Sequence, residues 1–561
     1  NSGQARDSVS IYLRGPVTVE ELPAGVKSGI NYIDNTTVTL VLNDPAGLKN
    51  FAFAIGDFSN WLPGDQNYMR RTPDGKNYWI TLSGLTSGKE YGYQYYIDGH
   101  LKIADPYCDK ILDPWNDKYI PSFNYPGLKP YPFDKTIGVV SVFQTGQTPY
   151  PWEVTGFTPP AVDGNQQDLV IYELLLRDFT DSSSLVTAME KLDYLKNLGI
   201  NAVELMPIME FDGNNSWGYA PNFFFAPDKY YGTRNQYKKF IDECHKRGIA
   251  VILDIVTNHS FGLSPLAAMY YDEAAGTPSA SNPWMNTQAP HPLGIGCDFN
   301  HESPYTREFF KRVLGYWLTE YRVDGFRFDL AKGLTQKYTG SDLGAWATYD
   351  PSRINILTDY FNHIKSVNPK AYMILEHFAD NSEETVLANT GMLLWSGMHD
   401  RYKQVGMGWS SNSDLSWGYH GNRGWAYPNL SDYMENHDQE RVMVEALSNG
   451  NGSGGYSTKD TTDALHQMQM TAALMFGIPG PKMVWQFGEL GYDYSINYNG
   501  DRTAPKPPRW DYFDQPERQR LYRTYSAMAG LRKCDTWRYG SFSSDLSGTG
   551  KKIRITHSSM D

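Results

Sequence analysis

The sequence predicts an α/β protein, with a β-sandwich followed by a (β/α)8 barrel of the TIM type and then the start of a C-terminal β domain. Three observations support this prediction. Residues 1–125 contain short alternating strands separated by turn residues. From Asp168 onward, short apolar strands alternate with amphipathic helical segments, which is typical of a parallel sheet wrapped by helices. Eight such strands can be counted, and eight repeats indicate a closed barrel.

The first unit, 1–125, is expected to be an Ig-like sandwich behind a leading segment. Its alternating runs are 37–42, 50–55, 78–82 and 91–97, and Asp-Pro, Asp-Gly and Ser-Gly turn signals separate them. A proline-rich stretch follows, and it predicts an irregular linker over 126–165.

The second unit, 166–535, is the predicted barrel, with a short insertion at about 260–305. Helical stretches such as 185–198 and 236–247 separate its strands. The predicted strands are 169–176, 202–207, 250–256, 325–330, 372–375, 392–395, 431–434 and 482–486. In the tail, 536–561, an alternating run at 552–556 predicts the start of a further β domain.

The composition argues against several classes of partner and site. The net charge of −13 argues against a nucleic-acid partner, because binding a polyanion requires a basic surface, whereas a neutral ligand is compatible. The longest apolar runs, such as 471–478, are far shorter than the roughly 20 residues of a membrane span. The four cysteines are scattered without metal-type spacing, so neither a zinc site nor a dense disulfide framework is indicated.

The compartment is not fixed by these features. The chain begins at Asn1 rather than Met, which fits a processed export product and fits a truncated sequence equally well. We expect a secreted, periplasmic or cell-surface location ahead of a cytoplasmic one. The oligomeric state cannot be predicted from the sequence.

Polar residues cluster where four predicted strands end. The carboxyl ends of barrel strands form the active face, so these clusters are the first candidates for function. They are DIVTNH at 254–259, GFRFD at 325–329, LEH at 375–377 and ENHD at 435–438. Three of the four offer a carboxylate at the tip, namely Asp329, Glu376 and Asp438.

The three carboxylates fit the chemistry of glycoside cleavage. Side chains alternate along a strand, so Arg327 shares a face with Asp329, and its permanent charge is expected to lower the pKa of Asp329 and keep a nucleophile ionised. Glu376 must instead hold a proton as general acid, which the negative charge of its neighbours would favour. Asp438 would stabilise the positive charge of the transition state, and His259 and His437 would donate hydrogen bonds to the sugar.

Each motif alone has a plainer interpretation, since an Arg-x-Asp strand is more often a structural ion pair. The combination, in order along a barrel, favours catalysis. A metal centre is a weaker interpretation, because no His-x-x-x-His or similar spacing occurs and the candidates come from separate strands.

These segments resemble the α-amylase family of glycoside hydrolases, family thirteen, whose four signature regions occur here in family order. The segments 254–259 and 325–332 (GFRFDLAK) resemble the first two, with Asp329 as nucleophile. Glu376 matches the acid/base of the third region, and 435–441 (ENHDQER) resembles the fourth, with Asp438 as stabiliser. The resemblance implies a retaining hydrolase of α-glucosidic bonds whose chemistry requires no cofactor.

The resemblance also implies residues that bind substrate. The Trp217-Gly218-Tyr219 segment would place Tyr219 as a platform under the reactive sugar, with packing at the barrel rim as the alternative. Lys332 resembles the lysine that endo-acting α-1,4 amylases place near the leaving-group sugars. The sandwich, with DFSNW at 57–61, resembles the glycogen-binding-type module of branching, debranching and some neopullulanase-like members.

Two departures from the family pattern leave the bond type open. Gly333 stands where a histidine often follows the lysine, and the third region reads LEH rather than a Gly-Glu or Ala-Glu form. Hydrolysis of α-1,4 bonds in starch, glycogen or maltooligosaccharides is the first expectation. The alternatives are α-1,6 debranching, branching or transglycosylation, and, more remotely, an inactive glucan-binding protein. Asn258 resembles a calcium ligand, so the resemblance allows a structural calcium ion without predicting it.

Overall fold

The computed structural model describes residues 12–160 and 168–558. Three parts of the sequence-based predictions lie outside the described residues: the beginning of the leading segment at 1–11, the junction of linker and barrel at 161–167, and the last residues of the tail at 559–561.

Eight parallel strands close into a barrel, which confirms the predicted fold class. Strand neighbours follow chain order, and the eighth strand pairs with the first in the register Val170 to Lys482. The strands are Val170–Leu174, Ala202–Leu205, Ala250–Ile255, Gly325–Phe328, Tyr372–Leu375, Leu393–Trp395, Leu430–Tyr433 and Lys482–Trp485. Every one of them overlaps a predicted strand.

Helices wrap the barrel, and local capping sets where they begin. The helix predicted at 236 begins at Arg234, because the Thr233 side chain accepts a hydrogen bond from the Gln236 backbone N–H and the Gln236 side chain accepts one from that of Thr233. The single helix predicted over 185–198 forms as two helices. The helices are Leu176–Phe179, Leu185–Met189, Leu192–Leu198, Arg234–Lys246, Pro265–Ala268, Pro304–Glu320, Leu343–Ala347, Pro351–Val367, Asn381–Thr390, His399–Gly406, Val442–Asn449, Thr461–Gly477, Pro516–Leu531 and Asp535–Tyr539.

The N-terminal region contains two antiparallel sheets, as predicted for a sandwich. One sheet consists of Gly29–Asp34, Thr37–Asn43, Asn77–Leu82 and Arg70–Arg71 in that order. The other consists of Ala52–Gly56, Glu90–Ile97, Val140–Gln144 and Ile111–Leu112, with Leu101–Ile103 also paired to Glu90–Ile97.

The linker prediction differs from the structure at one strand. Val140–Gln144 lies inside the predicted linker, yet it pairs with Glu90–Ile97 and aligns Phe143 with Tyr91. The strand is only five residues long and lies in a proline-rich stretch, and the prolines led to the prediction of an irregular linker. The chain therefore completes the sandwich before it enters the barrel.

Short two-stranded antiparallel ribbons occur in the connections of the barrel and in the tail. In the predicted insertion, His259–Ser260 pairs with Cys297–Asp298 and Tyr271–Asp272 pairs with Thr277–Pro278. In the tail, Ser541–Asp545 and Lys552–Thr556 form an antiparallel hairpin. The remaining ribbons are Met209–Phe211 with Pro221–Pro227 and Gly452–Ser453 with Tyr456–Ser457. Within 12–160 and 168–558, no helix has the length and apolarity that crossing a membrane requires.

Candidate active site

Because side chains alternate between the two faces of each strand, a layer of polar side chains lies above an apolar layer inside the barrel. One buried cluster contains Ile171, Ala202, Ile252, Ile374 and Met483. Two positions further along the same strands, and so on the same face, come Glu173, Glu204, Asp254, Glu376 and Trp485. The first four of these are carboxylic acids, and they bring four carboxyl groups together at the carboxyl end of the barrel.

Arg327, on the fourth strand, joins three carboxylates. Its side chain is fully buried, and Nη1 donates to both carboxylate oxygens of Asp254 at 2.8 Å and to Oδ1 of Asp329 at 3.2 Å. Nη2 donates to Oε2 of Glu376 at 2.7 Å. The guanidinium carbon lies 4.0 Å from the centroid of the Trp395 ring, which covers it from the sixth strand. One cation thus holds Asp329 and Glu376 in a single site.

The pKa of Asp329 differs from the expectation. Burial raises the pKa of Asp329 well above its usual range, the Glu376 carboxylate raises it further, and Arg327 opposes both. The predicted lowering was wrong because the site is desolvated and because Arg327 is shared among three carboxylates. Without substrate, burial and the adjacent carboxylate therefore favour the protonated form of Asp329.

His437 lies between two carboxylates. Its Nδ1 is 2.6 Å from Oε1 of Glu173 and its Nε2 is 3.5 Å from Oδ2 of Asp438. Burial opposes the charged imidazolium, but the negative charges of Asp438 and Glu173 outweigh it and raise the pKa of His437 to about 9. At neutral pH the ring is therefore a cation.

Asp438 is the most exposed of the three predicted catalytic carboxylates. Burial favours its protonated form, yet His437 and then Arg502 outweigh burial and lower the pKa of Asp438. Arg502, in the loop after the eighth strand, donates through Nη2 to the Asp438 carbonyl oxygen at 2.8 Å and to its carboxylate. Asp438 is thus held ionised at the mouth of the site.

Tyr219 and Trp217 lie beside these groups. The Tyr219 hydroxyl donates to Oδ2 of Asp254 at 2.5 Å, and its ring stacks on His437 with centroids 5.0 Å apart. The Trp217 ring meets His437 edge to face at 5.6 Å. Gly218 between them has φ +96°, and a Cβ there would come 2.3 Å from the Pro207 carbonyl oxygen, so the turn requires glycine.

The structure places His259 differently from the expectation. Its Nε2 is 2.9 Å from the carbonyl oxygen of Tyr219, and the ring is buried. That nitrogen is already bonded, so here His259 positions the Tyr219 main chain instead of presenting a free donor to a sugar. Burial lowers the pKa of His259, which is consistent with a neutral ring.

The loop after Glu376 is anchored by a buried hydrogen bond and a buried ion pair that share one carboxylate. His377 Nε2 is 2.6 Å from Oε1 of Glu383, and Arg353 pairs with the same carboxylate. Lys332 Nζ donates to the Phe378 carbonyl oxygen at 3.0 Å and lies 4.2 Å from the centroid of the Trp346 ring. Lys332 is thus next to the loop that carries Glu376, and its contact with leaving-group sugars stays a prediction.

The glycine that departs from the family pattern has a steric cause. A Cβ at Gly333 would lie 1.9 Å from Oδ1 of Asn258, so no side chain can be accommodated there without rearrangement. That Asn258 oxygen is buried and has no hydrogen-bond partner among the described residues.

The calcium ion that the resemblance allows near Asn258 stays a prediction. Calcium takes six to eight oxygen ligands. The nearest groups to position 333 besides Asn258 include the His291 ring, and the Asp298 carboxylate is bonded to His291 and Asn286. Among the described residues, no group of three or more His, Cys, Asp or Glu side chains is arranged to hold a metal ion.

Sequence reasoning missed three residues of the site. Glu173 and Glu204 each stand in an otherwise apolar strand, and a carboxylate in such a strand was a usable signal. Both oxygens of Glu204 lack hydrogen-bond partners within the described residues, and burial raises its pKa well above the usual range. Arg502 gave no signal, because its place depends on how a long loop folds back over the barrel.

Comparison with known proteins identifies relatives of this arrangement. A family model described as the alpha-amylase catalytic domain matches residues 178–292 and 296–543. Malto-oligosyltrehalose trehalohydrolase of Saccharolobus solfataricus is 27% identical over 77% of this chain and 71% of its own length. Isoamylase 1 of Oryza sativa is 29% identical over 57% of this chain but only 42% of its own length. The branching enzyme GlgB of Pseudoalteromonas atlantica is 25% identical over 91% and 69%.

Solved structures share the fold at lower identity. Pullulanase from Bacillus acidopullulyticus superposes with a TM-score of 0.68 at 19% identity, covering 94% of this chain and 66% of that one. The GBS pullulanase SAP, solved in complex with maltotetraose, gives a TM-score of 0.66 at 18% identity, covering 92% and 74%. At this identity the likeness supports the fold, including the sandwich before the barrel.

Proposed function

The chain belongs to the α-amylase family of glycoside hydrolases, and from that premise we propose that it cleaves α-glucosidic bonds in starch, glycogen or maltooligosaccharides by retaining double displacement. The observation that carries the proposal is the single buried Arg327, which holds Asp329 and Glu376 together in one site. The preferred bond is α-1,4. Debranching at α-1,6 bonds is the second candidate, supported by the likeness to isoamylase and pullulanase.

The first half of the reaction forms a glycosyl-enzyme. When substrate enters, Asp329 gives up its proton to Glu376, which passes it to the departing glycosidic oxygen while the ionised Asp329 attacks the anomeric carbon. Arg327 then stabilises the ionised Asp329. Tyr219, stacked on the charged His437 ring, forms one wall of the subsite for the reactive sugar.

The second half releases the sugar. Glu376, now ionised, removes a proton from water, and the resulting hydroxide attacks the anomeric carbon and restores Asp329. Asp438, held ionised by His437 and Arg502, stabilises the positive charge on the ring and accepts hydrogen bonds from its hydroxyls. Lys332 contacts sugars on the leaving-group side. No cofactor is required, because carboxyl groups supply both the nucleophile and the proton.

The test compares the wild type with Asp329→Asn on amylose, glycogen, pullulan and cyclodextrin, with products separated by chromatography. We expect the substitution to reduce kcat by roughly 10⁴-fold or more, as loss of a covalent nucleophile does elsewhere. Asp400→Asn, at an exposed carboxylate, is the matched control. Undiminished activity of Asp329→Asn on every glucan would refute the mechanism, and the linkages of the products distinguish hydrolysis from transfer.

A further inference from the structure

A segment of the N-terminal region contacts a loop on the active face of the barrel. Residues 113–124, here called the rim segment, follow the sandwich strand Ile111–Leu112. Asn116 and Asn124 bond to the connection that follows the second barrel strand: Asn214 Nδ2 donates to the Asn116 carbonyl oxygen at 3.0 Å, and Asn124 Nδ2 donates to the Tyr230 carbonyl oxygen at 2.7 Å. This connection begins at the carboxyl end of its strand, the end of the barrel where the carboxylates converge.

The rim segment is held rigidly. Oδ1 of Asp113 accepts hydrogen bonds from the backbone N–H groups of Trp115 and Asn116 at 2.7 and 3.2 Å. Asp117 forms an ion pair with Lys229 at 3.2 Å, and both side chains are almost completely buried. A fixed backbone lets a ring on this segment meet a ligand with little loss of conformational entropy.

Three large rings of the rim segment face solvent. Trp115, Tyr119 and Phe123 are 49%, 68% and 55% exposed. Three exposed large rings within one short segment are more than the singly scattered apolar residues that a surface normally carries. Lys118 Nζ lies 4.9 Å from the centroid of the Tyr119 ring and covers one face of it, so Trp115 is the better platform.

A short stretch of chain connects the rim segment to the catalytic centre. The loop that touches the rim segment through Asn214 reaches Trp217 three residues later, a span of at most roughly 11 Å for extended chain. Trp217 in turn contacts His437, which adjoins Asp438. A chain bound along the rim would therefore lead into the site.

We propose that the rim segment is an outer subsite for an α-glucan chain, with Trp115 stacking on a sugar distant from the bond that is cleaved. The ligand is a neutral polymer, which suits aromatic faces bordered by the amides of Asn116 and Asn214. The subsite gives the enzyme a preference for long chains over short ones. This inference rests on the proposed function, since it assigns the α-glucan to the same cleft.

The experiment compares Trp115→Ala with the wild type on maltoheptaose and maltotriose. The ratio of kcat/KM for the longer to the shorter substrate should fall by roughly threefold to tenfold, the size of one lost aromatic stacking contact. Trp115→Phe should restore part of the ratio. Trp409→Ala, at a tryptophan that is 41% exposed and lies just beyond the helix His399–Gly406, and so at the other end of the barrel, is the control and should leave the ratio unchanged.

Binding measured without turnover separates the two proposals. In the Asp329→Asn background, calorimetry should show weaker maltoheptaose binding when Trp115 is also replaced by Ala. Equal affinity would overturn the outer subsite while leaving the catalytic proposal intact. Conversely, a wild type that cleaves no glucan but binds maltoheptaose through Trp115 would overturn the catalytic proposal alone.

Discussion

Nδ1 of His437 lies 2.6 Å from Oε1 of Glu173, although the two residues are 264 positions apart in the chain. Glu173 belongs to the first barrel strand, and a second oxygen of its carboxylate accepts from the His437 backbone N–H at 3.2 Å. The contact exists only because the barrel closes. It holds the imidazolium between Glu173 and Asp438, so the positive charge of His437 depends on the closed barrel.

The first prediction concerns Glu173→Gln. Removing this negative charge should lower the pKa of His437 from about 9 toward the 6.5 of an ordinary histidine, because burial then opposes the cation with less compensation. NMR titration of the ring proton measures this change. Glu190→Gln, at an exposed helix end, is the control. A ring that still titrates near 9 in Glu173→Gln would contradict the assignment.

The same pair predicts how stability depends on pH. The pKa of His437 is higher in the folded protein than in the unfolded chain, so its contribution is fully present below about 6.5 and is lost as pH rises to about 9. The full contribution is about 3 kcal/mol. Urea unfolding of the wild type should therefore show a decline across this window, and Glu173→Gln should flatten it.

A further prediction concerns Arg327→Lys. An ammonium cannot reproduce the forked hydrogen bonds that the guanidinium donates to Asp254, Asp329 and Glu376. The buried carboxylates would therefore lose part of the stabilisation that Arg327 gives to their negative charge. The free energy of unfolding at pH 7 should fall by about 3–5 kcal/mol. The loss should be smaller at low pH, because the raised pKa values of Asp254 and Asp329 favour their uptake of protons there. A loss independent of pH would indicate a packing defect instead of an electrostatic one.

Features of the fold and site that depend on local sequence pattern could be predicted from the sequence, whereas features that depend on contacts between distant residues could not. The barrel strands were predictable because short apolar runs recur, and Asp329, Glu376 and Asp438 were predictable because strand ends share one face of a barrel. The Glu173 to His437 contact was not, since it requires the strand register around the closed barrel. Likewise, the pKa direction of Asp329 depends on how many carboxylates share one arginine, which no local pattern specifies.

The next prediction concerns Arg502→Gln. Arg502 helps to lower the pKa of Asp438, and a depressed carboxyl pKa means that activity is lost only when pH falls through that low value. Removing Arg502 should raise the pKa, so the acid limb of the kcat/KM profile should move to higher pH. The free energy of unfolding should change by less than about 1 kcal/mol, because the Arg502 and Asp438 side chains are both roughly half exposed. Arg520→Gln, at a surface ion pair, should leave the profile in place.

The last prediction separates the acid from the nucleophile by varying the leaving group. Glu376→Ala should slow glucan cleavage by roughly 10²–10⁴-fold, because the glycosidic oxygen then departs without a proton. A maltosyl fluoride needs no such proton, so formation of the glycosyl-enzyme from it should be far less impaired. The substitution also removes the carboxylate that, after burial, most raises the pKa of Asp329, which favours the ionised nucleophile. Pre-steady-state release of fluoride measures the first step, and azide should accelerate the second by replacing the water that Glu376 activates. Equal losses on the glucan and the fluoride would show that Glu376 is not the acid.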